Sequence, residues 1–490
     1  MAFDQVNAPT TAALAAPAFP GRTRWLVVVL AFAGLGSSLV QSLVIPLLPI
    51  LPAKLNATSS AVSWMVTATL IAGAIATPLF GRLGDQFGKR RMLLVALAAL
   101  VAGSALCGVS TSLPVLIAGR ALQGVAMAAI PLGISIIGTE LPRDRRGGGI
   151  ALISATLGVG GAVGLPLSGL IAEQWDFHVL FWLCAVVALL ALTAVWFVVP
   201  ESGTGSPGRV DVPGAVLLAV VLTALLLPLA QGNKWGWTNP LTLGLLGLAV
   251  LGALVFVRYE LNHRDPLVNV RASRSRPVLL TNLASVLVGF AMFTGFLVTV
   301  SFVQAPVATG YGFGASLVAA GMTQLPGGLL MAVMSPVSAR LTAARGPKTS
   351  LIAGAAVIAS GYLLLEVAHG QLWQVMICST ITSGGVALAY AAMPSLILDA
   401  TPARDAAAAN GLNTLSRSIG TSLASAISSS LLATFTISLG GQVLPSAAAF
   451  NLMFVLGALA ALLAILVIAF VPVTTGRAPA GEAALDTASA

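Results

Sequence analysis

Fourteen apolar runs follow one another along this 490-residue chain, each close to the roughly 20 residues that carry a helix across a bilayer core. They lie near 24–50, 61–80, 92–110, 114–139, 148–172, 178–199, 212–230, 240–259, 278–303, 314–341, 350–367, 371–397, 408–438 and 449–472. The runs are continuous rather than alternating, which excludes a transmembrane β-barrel. Charged residues make up 8% of the chain, where a soluble domain carries about a quarter. The fold class is therefore all-α and integral to a membrane.

The net charge of +9 would suit nucleic acid if the basic residues were gathered on one face. They sort instead by side of the membrane. With the N-terminus inside, 20 of the 24 Lys and Arg fall in cytoplasmic segments. Lys54 and Lys234 fall outside, and Arg120 and Arg417 lie within helices. Such a bias sets topology, so both termini are expected in the cytoplasm and no nucleic-acid partner is expected. Residues 1–23 and 473–490 are read as cytoplasmic tails, and the first run as a retained helix rather than a cleaved signal peptide. Cys107, Cys184 and Cys378 lie singly in helices and provide neither a disulfide framework nor a metal spacing. There is no Gly-x-x-x-x-Gly-Lys-Ser/Thr loop, and His178, His263 and His369 lie apart from any nucleophile. An ATPase or other enzyme, a cofactor and a metal are thus all unexpected.

Residues 81–91, Gly-Arg-Leu-Gly-Asp-Gln-Phe-Gly-Lys-Arg-Arg, form a short charged hinge between two apolar runs. A degenerate copy stands at 338–348, with Gly346 aligned to Gly88 at a distance of 258 residues. That spacing suggests two six-helix halves (24–200 and 278–472) with a helix pair and a linker inserted between them over 201–277. The plan is 6+2+6.

The hinge resembles the signature loop between the second and third helices of the major facilitator superfamily. Ser63–Ala68, Trp235-Gly236-Trp237, Leu325-Pro326-Gly327-Gly328 and Asn410–Thr414 extend the likeness to that family's fourteen-helix drug:proton antiporter branch. The resemblance implies alternating access, efflux of drugs, antibiotic resistance and a place in the cytoplasmic membrane, and the Ala/Gly/Leu/Arg-rich usage points to a bacterium. It also implies a conformational latch on the cytoplasmic side built from Gly81, Arg82, Asp85, Gly88, Lys89 and Arg90, with Glu140 or Asp144 completing the network. Asp85 is expected on the loop before the third helix, near a helix N-terminus. Ala343 replaces the acid in the second copy, so only the first half is expected to carry the latch.

Arg120 is the most costly residue in the chain, a cation within a spanning run that costs several kcal/mol unless it faces the bundle interior and finds partners. By resemblance it serves proton coupling or substrate contact, with Gln123 on the same face; the alternatives are an arginine that snorkels outward or ties carbonyls of the first helix together. In the fifth helix Gly160, Gly164, Pro166 and Gly169 resemble the exporter branch's packing motif, although the family's Gly-Pro pair here reads Gly164-Leu165-Pro166. One departure stands out. Many members of the branch have an aspartate in the first helix, and Val40 stands at that position. Coupling would then fall to Glu366 with His369, or to Glu173, Asp176 and His178, or be absent altogether. A substrate cavity is expected to draw on Gln41, Trp64, Asn282, Met292, Phe293, Phe296, Gln304, Gln324 and Asn413, a mix suited to adaptable recognition of apolar molecules, and the lack of buried negative charge favours neutral, amphipathic or anionic substrates. The chain is expected to work as a monomer in the lipid bilayer, with protons as a second partner. The competing expectation is an uncoupled or substrate-driven facilitator of a metabolite or lipid.

Overall fold

A computed structural model describes residues 20–44, 47, 50–201, 211–263, 265–402, 405–439 and 442–472; the two tails expected beyond the first and last helices lie almost wholly outside these. The first part of the chain holds α1 (Pro20–Leu43), α2 (Leu51–Lys54), α3 (Ser59–Phe87), α4 (Lys89–Val109), α5 (Leu113–Val125), α6 (Ala129–Glu140), α7 (Arg143–Gln174) and α8 (His178–Val198). The middle holds α9 (Val212–Trp235), α10 (Pro240–Asn262) and the short α11 (Val270–Ser273). The last part holds α12 (Arg276–Gln304), α13 (Leu317–Val367), α14 (Leu372–Ala400), α15 (Ala406–Thr434) and α16 (Ala447–Ala469). Between α15 and α16 the strands β1 (Thr436–Leu439) and β2 (Gln442–Pro445) pair antiparallel. The apolar run read as continuous over 408–438 therefore ends early, in an extended segment.

Among the described residues twelve helical stretches are long and apolar enough to cross a membrane. α5 and α6 make one of them, joined by a 3₁₀ turn at Ala126–Ala128. Pro131 explains the tightening, because it has no N–H to offer the carbonyl one turn back and its ring crowds it. Two places separate twelve from the fourteen expected. The stretch Val318–Val367 is 50 residues long, and Gly346 within it departs from helical geometry at φ 81°, ψ 160°. Gly88, its counterpart in the repeat, bends the chain between α3 and α4 at φ 106°, ψ 128°. Both need the positive φ that glycine alone adopts freely. The second place is α15, which has the length (29 residues) but carries Asn410, Asn413, Arg417 and a series of Ser and Thr. It is not among the apolar stretches.

The buried apolar side chains fall into three clusters. The first draws on α1 and α3–α8, the second on α12–α14 and α16, and the third joins Ala74 of α3, Leu218–Leu226 of α9, Phe256 of α10 and Leu415 of α15. Outward faces are apolar too: Leu251, Leu254 and Val255 on α10, and Leu463 and Leu466 on α16, stand half or more exposed. This is a multi-pass membrane protein, and lipid covers those faces. Where helices meet they meet closely. A β-carbon on Gly385 of α14 would lie 2.6 Å from the Gly354 carbonyl oxygen of α13. Gly385→Leu should therefore force α13 and α14 apart, costing about 1–3 kcal/mol and lowering the Tm of the detergent-solubilised protein.

Candidate functional site: the latch and the buried arginine

Asp85 is not on a loop. It occupies the last turn of α3, and the hinge itself is the single residue Gly88. The carboxylate is 6% exposed and accepts hydrogen bonds from the backbone N–H groups of Ala407 (3.3 Å) and Ala408 (2.9 Å). Those groups belong to the first turn of α15, where a helix has no internal partner for its N–H donors. A capping side chain normally meets them from within the same helix. Here Asp405, at the cap position, does not supply that bond, and an acid 322 residues away does. The helix N-terminus served by Asp85 is thus α15's, not α4's. Gly81 makes the approach feasible, since a β-carbon there would lie 2.7 Å from the Ala407 carbonyl oxygen. Gly411 does the same one turn on, facing the Thr77 carbonyl.

Around this contact Lys89 Nζ stands 4.0 Å from Asp85, both nearly fully buried, and Arg82 pairs with Asp405 at 3.8 Å. Asp405 was not foreseen, because nothing in its local sequence marks it as a partner of Arg82. Arg90 lies outside the group: it stacks over Trp196 at 5.5 Å and donates to the Trp196 carbonyl, within α8. Glu140 is exposed at the end of α6 and acts on Lys89 only through space. The Asp144 side chain lies outside the described residues.

Arg120 is 2% exposed and fully internal. Its guanidinium donates to Gln123 Oε1 (2.7 Å), to the Val40 carbonyl (3.1 Å) and to the Met65 carbonyl (3.4 Å). Gln123 passes the chain on to Ser104 Oγ at 2.8 Å. One cation thus ties α1, α3, α4 and α5 together through carbonyls and an amide, with no carboxylate in the set. The residue standing where an acid was expected, Val40, meets the arginine with its backbone instead. Arg417 of α15 is a second buried cation, 4% exposed, 4.7 Å over the Tyr390 ring and bonded to Thr414 Oγ1 at 2.9 Å.

The glycines of α7 divide between two neighbours. Gly160 and Gly164 lie against Ser38 and Ser42 of α1, whose hydroxyls donate to the Thr156 and Gly160 carbonyls at 2.9 and 3.1 Å. Gly169 and Pro166 face α13, at Val318 and Gly321. Gly328, in the motif of α13, meets Ala162 of α7.

Two pairs of the residues expected in the cavity meet. Asn413 donates to Asn282 Oδ1 (3.0 Å) and Ser285 Oγ (2.7 Å), a buried amide pair between α12 and α15. Gln324 donates to the Phe296 carbonyl at 3.3 Å. Gln304 has a buried Nε2 with no partner among the described residues. Gln41, Trp64, Met292, Phe293 and Phe296 are half-buried.

Of the coupling candidates, His369 Nδ1 lies 2.9 Å from the Leu365 carbonyl, and Glu366 Oε2 is buried without a partner among the described residues. Asp176 sits at an exposed helix end with His178 and, at 3.7 Å, Lys54. Partial burial opposes its charge, but hydrogen bonds from His178 and the nearby positive charges hold its carboxyl below the usual range. The Glu173 side chain lies outside the described residues.

A multi-helix membrane fold whose first and last parts are joined by a charged cap at one face is the class defined by these features. The chain belongs to the Major Facilitator Superfamily, whose profile matches residues 30–425 and, overlapping, 329–487. It is 33% identical to the puromycin resistance protein of Streptomyces alboniger over 71% of this chain and 68% of that one. It is 26% identical to the multidrug resistance protein Stp of Mycobacterium tuberculosis (strain CDC 1551 / Oshkosh) over 84% of this chain and 76% of that one. In fold it resembles the crystal structure of the human organic anion transporter MFSD10 (TETRAN), with a TM-score of 0.65, 16% identity, and 91% and 99% of the two chains covered.

Two substitutions examine these contacts. Asp85→Asn should weaken the cap on α15 by about 1–2 kcal/mol, a five- to thirty-fold change in the equilibrium of that contact. Spin labels at exposed Phe87 and Ala344, with the three native cysteines replaced, should report a longer and broader distance. Arg120→Lys keeps the charge but gives up the planar fork, and one ammonium cannot serve two carbonyls and an amide in that geometry. A Tm several degrees below wild type is expected.

Proposed function

We propose that this chain exports amphipathic small molecules across the bacterial cytoplasmic membrane by alternating access, driven by the proton gradient. The contact of Asp85 with α15 carries the reading. It is made between the two halves of the repeat, it lies at one face only, and it consists of a charge and a helix end that can part without leaving a covalent or metallic bond to break. Broken, it would let the first and last helices swing apart on that face; made, it would hold them shut there. The resistance proteins among the relatives support drugs as cargo.

On this reading the polypeptide crosses the membrane fourteen times as 6+2+6, with both termini cytoplasmic. Gly346 would divide the 50-residue stretch into two crossings as Gly88 divides α3 from α4, and α15 would cross despite its polarity, shielded by α3 and α12. The latch would close the cytoplasmic side in the outward-facing state, with Gly81, Arg82, Asp85, Gly88 and Lys89 at its centre. One chain supplies every part of that latch, so a monomer suffices. A second reading, substrate-driven flux without protons, is favoured by one observation: Val40 stands where the expected acid would be, and Arg120 is satisfied without one.

Proteoliposomes holding the protein, loaded acid inside, should accumulate a fluorescent amphipathic probe and its neutral analogue several-fold faster than vesicles without a gradient. Flux indifferent to the gradient would select the second reading. Expression in a drug-sensitive bacterium should raise resistance; hypersensitivity would mean import.

A further inference from the structure

The inserted pair α9–α10 ends in a group of side chains that export, as described above, does not use. Asp211, at the start of α9, and Glu260, near the end of α10, are each 3% exposed. One oxygen of each is accounted for. Asp211 Oδ1 accepts from Gly214 N–H (2.8 Å) and the Tyr259 hydroxyl (2.9 Å), and Glu260 Oε2 accepts from Val268 N–H (3.4 Å). The other oxygens, Asp211 Oδ2 and Glu260 Oε1, are buried with no partner among the described residues. They also converge. The place where a β-carbon would stand on Gly214 is 2.2 Å from the first and 2.9 Å from the second. Glycine at 214 is what leaves that space open.

Two carboxylates this close and this buried cannot both be ionised without repulsion and unsolvated charge on both sides. One proton relieves both penalties, because it leaves a single negative charge on the pair. We propose that Asp211 and Glu260 form a proton-binding site in the inserted helix pair, holding a single proton between their facing oxygens. The site extends the proton-driven reading of transport without depending on it.

The surroundings connect it to the latch. Glu260 holds the linker through Val268, and Leu267–Asn269 wall a cavity of about 390 Å³ together with Arg82 and Asp405. Arg82 attracts Glu260 as well as its partner Asp405. Among the described residues, other charged or titratable groups nearby include Asp265 on the cavity wall, Arg258, which lines a second cavity with Tyr259, His263 stacked on Tyr259, and Arg271, bonded to the Leu261 carbonyl. Loss of the shared proton places a second negative charge near Arg82, in competition with Asp405. Alkaline conditions on this face therefore loosen the latch, and acid conditions tighten it.

Infrared difference spectroscopy of the full chain in nanodiscs tests the site directly. At neutral pH the wild type should show the carbonyl stretch of a protonated carboxylic acid, and the signal should be lost in both Glu260→Gln and Asp211→Asn. Glu260→Gln should stay folded, because its amide N–H can donate to Asp211 Oδ2 as the shared proton would. In that variant the distance between labels at Phe87 and Ala344 should no longer lengthen as pH rises. A signal that survives both substitutions, or no such signal in the wild type, would overturn the proposal. So would a signal displaced by sodium or potassium at fixed pH, which would make this a metal-cation site. A wild-type signal accompanied by gradient-indifferent flux supports the site while removing protons as the driving force for transport.

Discussion

Hydrocarbon offers no hydrogen bonds, and every polar group placed in it must be answered by another part of the same protein. The Arg120 guanidinium and the Asp85 carboxylate are answered by different partners, and those partners are largely backbone. Arg120 uses carbonyls of α1 and α3. Asp85 uses N–H groups left over at a helix start. Each solution binds separate helices at a fixed distance, so the most polar residues become the joints of the fold. The glycines set how close those joints can be, because helices surrounded by lipid gain little from burying apolar surface and rely on contact.

The two halves of the internal repeat share a bend but not its charges. Gly88 and Gly346 adopt similar backbone angles, while Asp85 has no acidic counterpart and Ala343 stands in its place. Shape has been kept in both copies and chemistry in one. A carboxylate on a single half is enough to make the contact, because the other half contributes only what any helix start offers.

Much of this was legible in the chain, and what escaped has a common cause. Continuous apolar runs reveal spanning helices directly, and a cation such as Arg120 in such a run is costly unless it is internal. Gly88 and Gly346 could be aligned because glycine at a bend has no substitute. The partners of Arg120 and Asp85 could not be read, since a carbonyl or a bare N–H is present at every residue and leaves no mark in a sequence. Asp405 was missed for the related reason that an ion pair across more than 300 positions has no periodicity. Arg90 was placed with the latch by its neighbours in sequence, yet its side chain turns to Trp196 of α8. The hairpin of β1 and β2 was overlooked because Ile437 and Leu439 continue the apolar run that precedes them.

The composition of α15 bears on how the protein is made. A helix carrying two asparagines, an arginine and many hydroxyls partitions poorly into lipid from the insertion machinery when it emerges alone. Asn413 and Arg417 find partners on α12 and α14, which are synthesised earlier, and a short hairpin leads from its last turn to the strongly apolar α16. If α15 crosses as the fourteen-helix reading proposes, its entry into the membrane is an act of assembly rather than of partitioning, and the second half of the protein is completed as a group of helices rather than one at a time.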